Sequence, residues 1–248
     1  MSKNWWITLI LLTRLTSGVA ARAQPLAAGA EVPDAPLVAG PSCDGGVVKD
    51  DGSVETGWGW VPSVVDGQYV QQYEEADFPS RQLEKVCVCW LRTRTDDEID
   101  FEVVVYDDVD GHPASSPVAT VPATATIVPR GVIGQFVEVD LRGAFLPPGR
   151  SFIGVRWNPS RDQFFFLCAD TSPATPITDV YFIDDRADQW TSVLRTVDPI
   201  FRAHHSVLVR ATAAPVPPLV LEVPAADRRG LVVLILLIAF AGLVSLRR

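Results

Sequence analysis

Histidine, methionine and cysteine are scarce in this chain: three, one and four among 248 residues. His204 and His205 are adjacent, so on a strand they face opposite sides and do not share a metal ion. His112 stands alone in a turn-like stretch. The sequence contains no G-x-S-x-G elbow, no H-E-x-x-H and no glycine-rich phosphate loop followed by lysine. The common signatures of serine hydrolases, zinc proteases and nucleotide-binding enzymes are therefore missing. Basic residues are also few. Between Gln24 and Pro224 there are 14 Lys and Arg against 29 Asp and Glu, a net charge of −15. Such a body repels phosphate backbones, which argues against nucleic acid as a partner. Between Cys43 and Ala214 no stretch of 12 or more residues carries helical periodicity.

The same region instead shows short alternating runs separated by Gly, Pro, Asp and Asn. "GQYVQQYE", "LEKVCVCWLRT", "IDFEVVVYDD", "GQFVEVDLRG", "SFIGVRWNPS", "FFFLCAD", "DVYFIDD" and "HSVLVRATA" all read as strands. Val137, Val139 and Leu141 share one face of their run, as do Ile153, Val155 and Trp157. Many short strands at regular spacing predict an all-β fold, a two-sheet β-sandwich of jelly-roll type spanning residues 43–214. "QFFFLCAD" reads as a core strand.

Both ends of the chain differ from this body. The start, "MSKNWWITLILLTRLTSGVAARAQPL", has a basic residue, a short apolar core and Ala21-Arg22-Ala23 before Gln24. This is the pattern of a signal peptide over residues 1–23. An Ala/Pro/Gly-rich stretch, 24–42, reads as a disordered linker. After residue 214, "PVPPLVLEVP" reads as a proline-rich spacer within 215–229. Gly230 to Leu246 carries no charge. As a helix it spans roughly 26 Å, within the range for a single transmembrane helix at 230–248. Arg247 and Arg248 close it, and the positive-inside tendency keeps them in the cytoplasm.

Export places the four cysteines in an oxidising compartment and predicts two disulfides. Cys87 and Cys89 sit two apart on one strand, roughly 6.5 Å apart along it, so each reaches a different partner. Of three possible pairings, Cys43–Cys87 with Cys89–Cys168 is favoured. Metal binding by these cysteines is the rival reading, against which the C-x-C spacing stands.

Three chemistries remain open for the body. Asp107, Asp108 and Asp110 in "YDDVDGHP" crowd carboxylates beside Gly111. They suit either a hairpin turn or a calcium site. Asp44, Asp50 and Asp51 in "CDGGVVKDDGS" join such a site only if the loops meet. Trp58 and Trp60 in "TGWGW" point the same way when extended, and Trp90, Trp157 and Trp190 follow. If exposed, such a pair stacks on a surface glycan; if buried, it is core. Carboxylates are plentiful enough for a glycan or ester hydrolase.

Val223-Pro224, the polar patch Ala225 to Arg229, Gly230-Leu231 and Arg247-Arg248 form a tripartite tail. This tail resembles bacterial C-terminal protein-sorting domains of the PEP-CTERM and IPTL-CTERM type. It contains neither Pro-Glu-Pro nor Pro-Thr-Leu, so the layout carries the resemblance. The resemblance implies recognition by a membrane transpeptidase of the exosortase kind and removal of the helix; the plain alternative is a permanent anchor. In the body, "VVVYDDVDGHPASSPVA" and "FIGVRWNPS" resemble exported β-sandwich domains of bacterial surface proteins, which implies a jelly-roll-like module without a defined activity. The expectation is a non-enzymatic cell-envelope protein for adhesion, matrix structure or binding. A carbohydrate-binding module is the main alternative.

Overall fold

A computed structural model describes residues 26–27, 35–36, 43–93, 98–128, 134–162, 164–171, 179–193 and 206–216. The expected signal peptide, the transmembrane helix and the sorting residues Val223, Pro224, Gly230, Arg247 and Arg248 lie outside these residues, as do His204 and His205. Among the described residues no helix is long and apolar enough to cross a membrane. The chain divides into two units, Met1–Ala214 and Pro215–Arg248. The fold described below belongs to the first.

In chain order the strands are β1 (Leu26–Ala27), β2 (Ala35–Pro36), β3 (Ser53–Val54), β4 (Thr56–Gly59), β5 (Gly67–Tyr73), β6 (Leu83–Arg92), β7 (Glu98–Val109), β8 (His112–Pro113), β9 (Ala119–Thr126), β10 (Gln135–Asp140), β11 (Ser151–Trp157), β12 (Phe165–Asp170), β13 (Val180–Asp184), β14 (Thr191–Ser192), β15 (Ser206–Val207) and β16 (Val209–Ala213). β2 and β3 pair with each other as a separate two-stranded sheet, and the other strands form an all-β, two-sheet sandwich. The first sheet runs β1-β4-β12-β6-β10, with β15 paired to β12 and β16 to β6. The second runs β14-β13-β5-β11-β7-β8, with β9 also paired to β7. Every pairing in both is antiparallel.

The eight runs expected as strands all form strands. Strand β9, "ATVPATAT", carries no strand signal of its own, because its small residues and Pro122 mimic a loop. It is paired on one side only, to β7, and an edge strand tolerates proline because no neighbour needs the missing N–H. Within the stretch 24–42, of which only residues 26–27 and 35–36 are described, Leu26 pairs with Gly59 and Ala35 with Val54. Their backbone groups find partners at β4 and β3, an interaction that composition does not reveal.

Alternation explains how the core is filled. Ile153, Val155 and Trp157 of β11 face inward, together with Phe101, Val103 and Val105 of β7. From the first sheet they meet Val86, Val88 and Trp90 of β6 and Phe165, Leu167 and Ala169 of β12. Val139 and Leu141 join them, and Val137 packs at the margin. The opposite face of the first sheet is also covered. Cys87, Cys89, Leu91, Phe136, Phe166, Cys168 and Leu208 form a second apolar layer with Cys43 and Val54 from the preceding segment.

Two disulfides fasten that layer, Cys43–Cys87 and Cys89–Cys168, with Cα–Cα distances of 5.9 and 5.3 Å. This is the favoured one of the two pairings that strand geometry leaves open, and it removes all four cysteines from metal binding and from nucleophilic chemistry. Gly134 crosses close above the second bond: a Cβ there would collide with the sulfurs of both Cys89 and Cys168. Gly134→Ala is expected to cost about 1–3 kcal/mol, read as a lower urea midpoint at unchanged slope.

Candidate functional site

The structure places the sequence-predicted residues differently from the readings that named them. Trp58 and Trp60 are 0 % and 2 % exposed. Trp60 packs against Tyr69 at 5.1 Å and against Phe182 at 5.8 Å between ring centroids. Both indoles fill the space between the sheets, so the expectation of glycan stacking on Trp58 and Trp60 is overturned. A shared face could be inferred from their spacing, but that face is the core side.

Asp107, Asp108 and Asp110 do not converge. Asp110 takes the left-handed conformation, with φ 54°, at the tip of the β7–β8 hairpin. The Asp108 carboxylate accepts the Gly111 N–H at 2.7 Å and faces Arg150 at 3.4 Å. Asp107 accepts the N–H of Asp108 at 2.8 Å. The Asp107 and Asp108 carboxylates hold a turn, the other reading of this stretch, and the three acids do not form the cluster that a calcium site there would need.

An outward-facing cleft of about 350 Å³ lies over the second sheet. Its floor and walls come from Gln68 on β5, Tyr106 on β7, His112 on β8 and Asp188, Gln189 and Trp190 after β13. Antiparallel order brings these together: β13, β5, β11 and β7 are consecutive neighbours, so residues far apart in sequence share the outer face. On the same face of the sheet Val70, Val104, Phe152 and Tyr181 form a buried apolar layer with Tyr106. Trp190 stands half-buried against it, edge-on to Tyr106 at 5.0 Å and 79°. Its Nε1–H donates to the Ala114 carbonyl at 3.1 Å, which fixes the indole. The Tyr106 hydroxyl donates to Gln68 at 2.6 Å. Burial raises the Tyr106 phenol to about 12, so it stays a neutral donor. The His112 ring packs on Tyr181 at 5.4 Å, and its Nδ1 is buried without a hydrogen-bond partner.

Such a site offers a fixed aromatic wall beside amide, carboxylate and hydroxyl groups from Gln189, Asp188 and Ser115. That combination suits a small, hydroxyl-rich molecule with apolar ring faces. Among the aromatics noted in the sequence, Trp190 is the one set in a polar run, "RADQWTS", and that was the available signal.

A second cleft, about 640 Å³, is lined by Asp66, Asp100, Glu102, Arg156 and Asn158. Its charges are spent on one another. Arg156 pairs with Glu102 and approaches Asp66 at 4.0 Å, and Arg161 pairs with Asp100. Desolvation holds the Asp66 carboxyl above its usual range.

No family model matches the chain, and no curated protein matches it. Among solved structures, the cysteine protease and lectin-like domains of a surface layer associated protein of Clostridium difficile are similar to it at 13 % identity, with a TM-score of 0.42. The match covers 60 % of this chain and 32 % of that one, about a third of its length.

Proposed function

We propose that this chain is a non-enzymatic, exported cell-envelope protein whose jelly-roll-type sandwich binds a carbohydrate in the cleft at Trp190. The observation that carries the reading is the half-buried indole, held upright by Ala114 and Tyr106 beside neutral and anionic acceptors. Two disulfides accord with an oxidising compartment. The tripartite tail at Val223-Pro224, Gly230 and Arg247-Arg248 supports display at the envelope. There it serves either as a membrane anchor or as the substrate of an exosortase-type transpeptidase.

Hydrolysis is the competing reading, and Asp66 beside Glu102 is its best pair. An acid–base pair needs both carboxyls free to meet substrate. Glu102 is held by Arg156, so binding is the better-supported reading.

Trp190→Ala should weaken retention on a glycan array at least about tenfold, equivalent to ~1.4 kcal/mol. It should cost the fold only about 1 kcal/mol, the scale of one aromatic edge contact. Wild-type protein retained by no glycan, or retention untouched by the substitution, would sink this proposal.

A further inference from the structure

Away from both clefts, three carboxylates meet on the outer face of the first sheet. Asp51, Glu55 and Asp170 each present an oxygen, and these oxygens all lie within 4.8 Å of one another. Oxygens around a shared calcium ion at about 2.3–2.6 Å are separated by no more than about 5 Å, so the spacing fits one ion. The cluster is built by long-range folding. The Asp51 N–H donates to Asp170 at 2.8 Å across 119 residues. The Thr171 N–H donates to Glu55 at 2.9 Å, and the Ser53 N–H to Asp51 at 2.9 Å. Gly52, at φ +90°, allows the turn that brings Asp51 over β12.

A second observation points to a ligand. Ser206 is wholly buried, and its Oγ has no hydrogen-bond partner. Ser206 is paired directly opposite Asp170. Opposed residues of an antiparallel pair project to the same face. The adjacent pair, Ala169 and Val207, points into the main core. Ser206 and Asp170 therefore project together to the other side, where the cluster lies. An unpaired buried hydroxyl is costly, and coordination to a cation there would satisfy it. Asp50, next in the chain, is committed to Arg210 and stands apart from the set.

We infer that Asp51, Glu55, Asp170 and Ser206 form a calcium site that fastens the segment before β4 to β12. The donors are all oxygen, which selects a hard cation over zinc or copper. The three carboxylates supply charge enough for a divalent ion. The assignment does not depend on the glycan cleft, which lies on the other sheet.

The test is calorimetric titration of the full chain with calcium after chelation, paired with thermal unfolding. One ion per chain should bind, with Kd near 10⁻⁴–10⁻³ M, the range of extracellular calcium modules, and the melting temperature should rise. Asp51→Asn and Glu55→Gln, both outside the packed core, should each weaken binding at least about tenfold while leaving the calcium-free protein folded. Ser206→Ala should act in opposite directions, stabilising the calcium-free protein and lowering calcium affinity. Asp108→Asn should change nothing in the titration. Absence of binding up to about 10 mM calcium, well above that range, would overturn the assignment. So would binding that survives both Asp51→Asn and Glu55→Gln, or magnesium bound as tightly as calcium.

Discussion

Trp60→Ala should lower the stability of the sandwich by about 3–5 kcal/mol, the usual cost of deleting a buried aromatic. The indole is 2 % exposed and lies between Tyr69 and Phe182. Its space cannot be refilled from the neighbouring strand. Gly67 sits directly beneath the ring, where a Cβ would overlap the indole, so the strand has no side chain to offer. Tyr69 is itself held, its hydroxyl donating to the Gly59 carbonyl at 3.1 Å. Collapse around the void is therefore restricted, which puts the loss at the upper part of the range. The indole Nε1–H has no acceptor, so shape and apolar area account for the effect. Equilibrium urea unfolding reads the change. A stable variant that has lost glycan retention would reverse the assignment and put Trp60 on a binding surface. The contrast with Trp190→Ala makes the pair decisive, because one substitution should affect folding and the other retention.

Arg210→Met should cost a comparable amount, about 3–5 kcal/mol, because it leaves a buried carboxylate without its partner. The Asp50 side chain is fully enclosed and that of Arg210 only 15 % exposed. Arg210 reaches both oxygens, with its Nε donating to Oδ2 at 3.1 Å and its terminal nitrogen to Oδ1 at 2.5 Å. The guanidinium also lies over the Phe136 ring at 4.6 Å, and removing the charge removes this cation–π attraction too. The pair ties the segment after Cys43 to β16, so breaking it should loosen the covering of the second apolar layer. Joining Asp50→Asn to Arg210→Met should recover part of the stability, since replacing both charges avoids the orphaned one. A cost below about 1 kcal/mol for the single variant, the range of exposed pairs, would show that Asp50 is hydrated.

What local pattern determines is clearest in β11 and β6. Period-two alternation places Ile153, Val155 and Trp157 on one face, and the same rule puts Cys87 and Cys89 together on the other face of their strand. From that geometry each cysteine needs a different partner, and the disulfide pairing is the favoured one. The all-β class follows likewise from eight runs whose spacing suits no helix.

Which face is buried is a different matter. Trp58 and Trp60 share a side under any extended reading, yet only sheet stacking turns that side inward. The first sheet is apolar on both faces because residues 43–55 fold across it, so alternation there carries no polar mark of an outside. The crowded acids of the β7–β8 turn are close in sequence, but Asp107 and Asp108 are held by backbone N–H groups and by Arg150, and the three do not meet. Asp51 and Asp170 are 119 residues apart and do meet. The Trp190 cleft likewise joins Gln68 to Trp190 only because β5 and β13 pair. Local alternation fixed the strands and their two faces, since it depends on backbone geometry alone. Strand order decided which side chains converge, because convergence depends on pairings between distant segments that no short stretch contains.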